Sequence, residues 1–270
     1  KTKGNGLDPL DIVDGITLED LVKKRTTDLT QPRMAEHIAK LTRRDFPNGI
    51  PSYGTDAVRF TYCAMASPGR DINFNLSRVE GYRNFCNKLW NATKFVLMNA
   101  EPEDLDEKVT LSLADRWIRS RARDLILAAK RAVDTYRFDL YANAVYEFVW
   151  HEYCDWYVEL AKPVLWDKST DPSIAHGVRR TLLEILDVLL RTAHPLVPYI
   201  TEKLWREATN QQNKTIMHEP FPKASDLEDD PDAVAAIEWL KAVVVSIRNI
   251  RGEMDISPKL NIKIALQGGD

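Results

Sequence analysis

The feature that most constrains this chain is a close succession of long stretches whose apolar residues recur at a helical period. They cover residues 77–99, 111–135, 138–161, 174–193 and 197–208, with apolar positions spaced i, i+3, i+4 and i+7. The breaks between them, such as "AEPED", "KSTDPS" and "HPLVP", are too short for anything but antiparallel neighbours. A compact apolar helix over 55–66, stopped by "SPGRD", leads into the series. The expected fold class is therefore all-α, an antiparallel helix bundle. No internal repeat is visible, which argues against a solenoid.

The flanks read differently. The chain opens on "KTKGNGLDPLDIV", where Asp8 is a good N-cap and Pro9 occupies the first helical position. Residues 15–52 are more polar, carry Pro32, Pro47 and Pro51 and the turn "PNG" at 47–49, and read as a short helical insertion. Residues 209–232 are a polar, acidic linker, and an amphipathic helix is expected over 233–254. "LNIKIAL", 260–266, is the one convincing strand pattern. A lone strand cannot satisfy its own backbone, so it implies a small, incomplete α/β C-terminal piece. The expected division is 1–54, a linking segment with its insertion; 55–218, the bundle; and 219–270, linker, helix and junction.

At 270 residues, 44% hydrophobic and 29% charged, the chain can bury a real core. No apolar run approaches the ~18 residues that span a bilayer, and no leader pattern precedes the helices, so a cytoplasmic protein without membrane contact is expected. Cys63, Cys86 and Cys154 are odd in number and widely spaced, as expected of reduced thiols. His151 and Cys154 share a helix face but lack two further ligands, so no metal is expected. A net charge of −3 argues against strong nonspecific nucleic-acid binding. Charge is unevenly laid out, however, with Arg116, Arg119, Arg121, Arg123, Lys130, Arg131 and Arg137 in one run. That run is expected to be a solvated face, because its bases alternate with apolar and acidic residues.

One helix breaks its own pattern. In "GYRNFCNKLWNATKFVLMN", 81–99, the residues Tyr82, Phe85, Cys86, Leu89, Trp90, Thr93, Val96 and Leu97 form a core stripe. The other side carries Asn84, Lys88 and Asn91, and Phe95 falls amid them, nearly opposite the stripe at about 100° per residue. Amides, a lysine and one exposed ring suit an unpaired nucleobase: the ring stacks, the amides read base edges and the lysine holds phosphate. The alternative is a ring packed on a neighbouring helix beside solvated asparagines. The segment "YEFVWHEYCDWYVELAKP", 146–163, is aromatic on every side, as expected of a helix in the middle of a bundle.

Together with these stretches, "GTDAVRFTYCAMASPGRDINF", "HPLVPYITEKLW" and "IRNIRGEMDISP" resemble, in order and wording, the valyl-tRNA synthetase family of class I aminoacyl-tRNA synthetases. The opening "KTKGN" resembles the end of that class's mobile lysine loop. The resemblance covers nearly the whole chain; the leucine and isoleucine families share the architecture but match "GRDINF" and "FCNKLWN" less well. It implies a C-terminal fragment beginning inside the lysine loop, with Lys1 a remnant of the ATP-binding lysines that stabilise developing phosphate charge. It implies an anticodon-binding bundle that takes valine tRNA, and no adenylation site of its own. The full-length parent would be a monomer using valine, ATP and magnesium; the fragment needs no cofactor. On the family's pattern Phe95 is the base platform and Val158 an apolar wall of the anticodon pocket. A family basic residue falls on Ser77, and the adjacent Arg78 is expected to take its place. Asn84, Lys88 and Asn91 would supply the polar contacts.

Two rival classes stand beside this one. A structural bundle would cover Phe95 with protein and bind no RNA. A small enzyme would start from His151 beside Glu152 or His194 before Pro195, and neither has a nucleophile at a motif spacing.

Overall fold

Local chemistry marks where the helices begin. In the computed structural model, which describes residues 6–67, 74–101, 109–257 and 259–265, the Asp8 carboxylate accepts from the backbone N–H of Leu10 at 3.0 Å and starts α1, Pro9–Asp14. The polar insertion forms α2, Leu18–Thr26, and α3, Ala35–Asp45, closed by an antiparallel bridge between Ile16 and Ile50. Gly49 makes that closure possible. It sits at φ +72°, and a Cβ there would stand 2.3 Å from the Ile16 carbonyl oxygen.

The bundle follows as α4, Thr55–Met65; α5, Leu76–Asn99; α6, Leu113–Asp134; and α7, Phe138–Glu147. A π-helical stretch, Phe148–Tyr157, carries α7 without interruption into α8, Val158–Trp166. Then come α9, Pro172–Ala193; α10, Pro198–Thr209; and α11, Pro231–Glu253. The expected all-α bundle is what forms. One large core runs from Phe60 on α4 to Ile237 on α11, with α9 contributing Leu182, Ile185, Leu186 and Leu189. A smaller apolar cluster of Ile12, Val58 and Val79 fastens α1 to α4 and α5.

The π stretch accounts for the helix that is aromatic all round. Its widened turns bury Phe148 and Tyr153, and Val149 and Cys154, at a spacing of five; four-residue spacing then resumes from Tyr153 to Tyr157. Buried phenols need partners, and α9 supplies two of them as carbonyls. Tyr141 donates to Thr192 O and Tyr153 to Leu182 O at 3.1 Å. Tyr157 donates to Asp115 Oδ1 at 2.6 Å, while Asp115 Oδ2 accepts from Ser112 N–H at 2.8 Å in the capping box of α6. Burial pushes the Asp115 carboxyl up from its ordinary value, opposed by the bonds from Tyr157 and Ser112. Gly177 lets α9 approach this corner: a Cβ there would lie 2.2 Å from the Thr110 carbonyl oxygen.

Two expectations change. No strand forms over residues 260–265, and Leu266 lies outside the described residues. The Leu260 carbonyl accepts instead from the Arg251 guanidinium at 2.9 Å, which folds the segment back on the end of α11. The basic run on α6 is not simply a solvated face. Arg116 reaches Asp230 at 2.9 Å, Arg123 reaches Asp229 at 3.2 Å, and Ser120 donates to Asp229 at 3.0 Å, so α6 clamps the acidic linker. Arg119 pairs with Glu184 on α9, and Arg121 with Asp124 at 3.0 Å.

Candidate nucleic-acid interface

Helix α5 places the expected site residues along one ridge. Asn84, Lys88, Asn91 and Phe95 recur at three- and four-residue intervals, and Met98 extends the line, 83% exposed. Asn84 and Asn91 face solvent. Phe95 does not stand clear of the core as expected; it is half-buried and packs against the core's edge. The buried arc of α5 is centred on Phe85, Leu89, Ala92 and Val96, whereas Tyr82, Cys86, Trp90 and Leu97 are only partly covered. Phe95 therefore lies on the flank of the true arc, with part of its ring open and the Lys162 ammonium 5.7 Å from its centroid.

Lys88 is also more engaged than its polar position suggests. Its ammonium pairs with Asp155 and lies 3.9 Å from the centroid of the Trp150 ring. Val158 is 6% exposed and belongs to the core behind this surface. The Lys88–Asp155 and Phe95–Lys162 pairs show that α5 runs parallel to the α7–α8 column. Lys1 lies outside the described residues.

Arg78 is exposed and stands apart from the ridge residues, lining an open cleft of about 510 Å³ between the start of α5 and α7. Tyr82, Asn143, Tyr146 and Glu147 line it too. Tyr146 is stacked on both Phe85, at 5.6 Å, and Trp150, at 5.5 Å, with Tyr82 edge-on at 6.1 Å. Burial is the main cause raising both phenols above their ordinary value; Arg78 opposes the rise at Tyr82, and Glu147 adds to it at Tyr146. Sequence reasoning missed this cleft. Its signal was present as Asn143 and Glu147 one turn apart, but only the packing of α5 and α7 against α4 brings them to one cleft with Arg78. Among the described residues, no three His, Cys, Asp or Glu side chains are grouped to hold a metal, and no helix is long and apolar enough to cross a membrane.

Residues 115–266 match the family described as the anticodon-binding domain of tRNA ligase. Over its whole length the chain is 50% identical to a valine–tRNA ligase of Coxiella burnetii, and over 96% of it 50% identical to one of Legionella pneumophila. It spans 30% and 29% of the length of those curated relatives. The family match covers more than half of the chain, through most of the bundle and its last helix; the chain belongs to the family of anticodon-binding domains of tRNA ligases.

Proposed function

We propose that the chain is the anticodon-reading part of a valine–tRNA ligase and that the ridge of α5 holds unstacked bases of valine tRNA. The observation that carries the reading is a half-exposed ring, Phe95, set between the solvent-facing amide Asn91 and a cation, Lys162, in a chain 50% identical throughout to valine–tRNA ligases. Phe95 offers its open face for stacking, and Asn84 and Asn91 offer donors and acceptors to base edges. Lys88 reaches a phosphate only by turning from Asp155, so it contributes less than a free lysine. Arg78 acts at the start of the helix, and Val158 supports the surface from the core. Lys1 is read as the last lysine of the ATP-binding loop. The whole ligase would join valine to its tRNA through an ATP-dependent, magnesium-requiring adenylate, as a cytoplasmic monomer; no step of that reaction is assigned to the described residues.

Titration of the chain with a valine-anticodon stem-loop and a noncognate one, at two salt concentrations, tests the reading. The cognate loop should bind more tightly, with an affinity that falls as salt rises. Phe95→Ala should weaken binding while leaving the helical signal intact. An unchanged affinity in the folded variant rejects the stacking role. A purely structural ridge, which the Lys88–Asp155 pair favours, predicts no binding of either loop.

A further inference from the structure

Residues 221–230 of the linker run antiparallel to α6, and the two halves of that helix meet them differently. Arg116, Ser120 and Arg123 hold Asp229 and Asp230 against the first half. Beside the second half the linker stands off and leaves an open groove of about 460 Å³, within the range of small-ligand sites. The groove follows α6 from Ile126 to Asp134, eight steps of helix or about 12 Å of rise. Its outer wall is anchored on both sides: the Pro220 carbonyl accepts from the Arg191 guanidinium at 2.9 Å, and Pro222 and Leu227 are buried. It shares no lining residue with the cleft at the start of α5. The walls are mostly aliphatic, and three of their apolar side chains, Leu127, Val133 and Phe221, are 41–45% exposed. Lys130 and Lys223 also line the groove; both are exposed, and among the described residues neither makes an ion pair, unlike the arginines of the first half. Asp134 is the one carboxylate on these walls, so two ammoniums leave the groove positive.

We infer that this groove binds a small unbranched aliphatic carboxylate, with its chain laid along α6 and its head taken by Lys130 and Lys223. The inference goes beyond the RNA-binding reading and does not depend on it. The chain supplies the affinity, because it covers Leu127, Val133 and Phe221 and leaves water itself. The lysines supply the selection by charge. An ammonium on a flexible stem acts as a point charge, so it meets a carboxylate without a fixed geometry, while the stems extend the apolar wall. The length of the groove suits a short chain, and its single ring, Phe221, gives an aromatic acid no second ring to stack against.

Isothermal titration calorimetry of the chain with hexanoate, octanoate and decanoate, each below its micellar range, tests this. Affinity should rise about fourfold for each added methylene, as for a CH₂ group moved out of water. Octylammonium, with the same chain and the opposite charge, should bind about tenfold more weakly than octanoate. Lys130→Gln combined with Lys223→Gln, both exposed changes, should erase that difference. Phe221→Ala should weaken octanoate and octylammonium alike. No binding of any acid, an affinity flat in chain length, equal binding of octanoate and octylammonium, or an octanoate affinity unchanged in the double-lysine variant overturns the inference. So does a dimer in light scattering that Phe221→Ala dissociates, because the occupant is then a second copy of the chain. Titration with the valine-anticodon loop tests the RNA-binding reading separately, and either can fail alone.

Discussion

Helices α5 and α6 each turn a polar face away from the core, and they use it in opposite ways. On the first half of α6 the cations end on carboxylates of the same chain: Arg116 and Arg123 on the linker at Asp230 and Asp229, Arg119 on α9 at Glu184. On α5 the amides of Asn84 and Asn91 and the open part of Phe95 meet solvent, and among the described residues Lys88 is the α5 cation drawn onto a carboxylate. The helix richer in positive charge is therefore the structural one. The helix poorer in charge keeps the groups an unstacked base can use. Cations satisfied within the fold release few counterions on meeting RNA, so a count of arginines says little about where RNA binds.

The comparison can be broken at the α6 corner first. Gly177→Ala sets a methyl group 2.2 Å from the Thr110 carbonyl and should cost about 3 kcal/mol in urea unfolding. A loss under about 1 kcal/mol would show that α9 can move off the start of α6. Arg119→Ala strands Glu184, in a pair whose side chains are only 14% and 24% exposed, and should cost about 2 kcal/mol of stability. Its affinity for the valine-anticodon loop should stay at the wild-type value; a weakened affinity would make α6 part of the RNA surface. Phe95→Ala should do the reverse, losing about 1.5 kcal/mol of binding, roughly tenfold, with a smaller loss of stability.

The smallest effect is expected away from both faces, where α10 meets α4. Burial lowers the His194 pKa below its ordinary value of 6.5, against the pull of Glu202 and Asp56, with Arg59 adding to the fall. Its Nδ1 lies 2.8 Å from Thr201 Oγ1, which itself donates to Val197 O. The folded chain thus prefers the neutral ring. That contribution is complete above pH 6.5 and is lost as pH falls through the folded value. His194→Gln should lessen the decline in melting temperature on acidification and leave RNA affinity alone. An identical decline in both proteins would remove His194 from the account.

Much of the architecture was legible because its signals are local. Asp8 and Pro9 announce α1, "PNG" announces the turn at Gly49, and the helical periods place α4 to α10 to within a few residues, apart from the extension of α8 to Trp166. The candidate site was legible in part. The ridge of Asn84, Lys88 and Asn91 is a matter of spacing on one helix. The depth of Phe95 was not, because a helical wheel weights Trp90 and Leu97 as heavily as Phe85 and Val96, and only packing reveals which of them the neighbours cover. The five-residue spacing of the π stretch was hidden for a similar reason. A column with apolar residues on all sides has no phase from which a widened turn could be read.

Taken alone, then, the order of residues determined the helices, their caps and most of the inward-facing stripe of each, since periodicity and capping act within a few residues of chain. The tertiary structure decided which charges were spent and which polar groups stayed open. Arg123 finds Asp229, Lys88 finds Asp155, and Arg78 comes to line one cleft with Asn143 and Glu147, all across distant segments. A side chain's partner is chosen by proximity in space, and proximity comes only after the helices have packed.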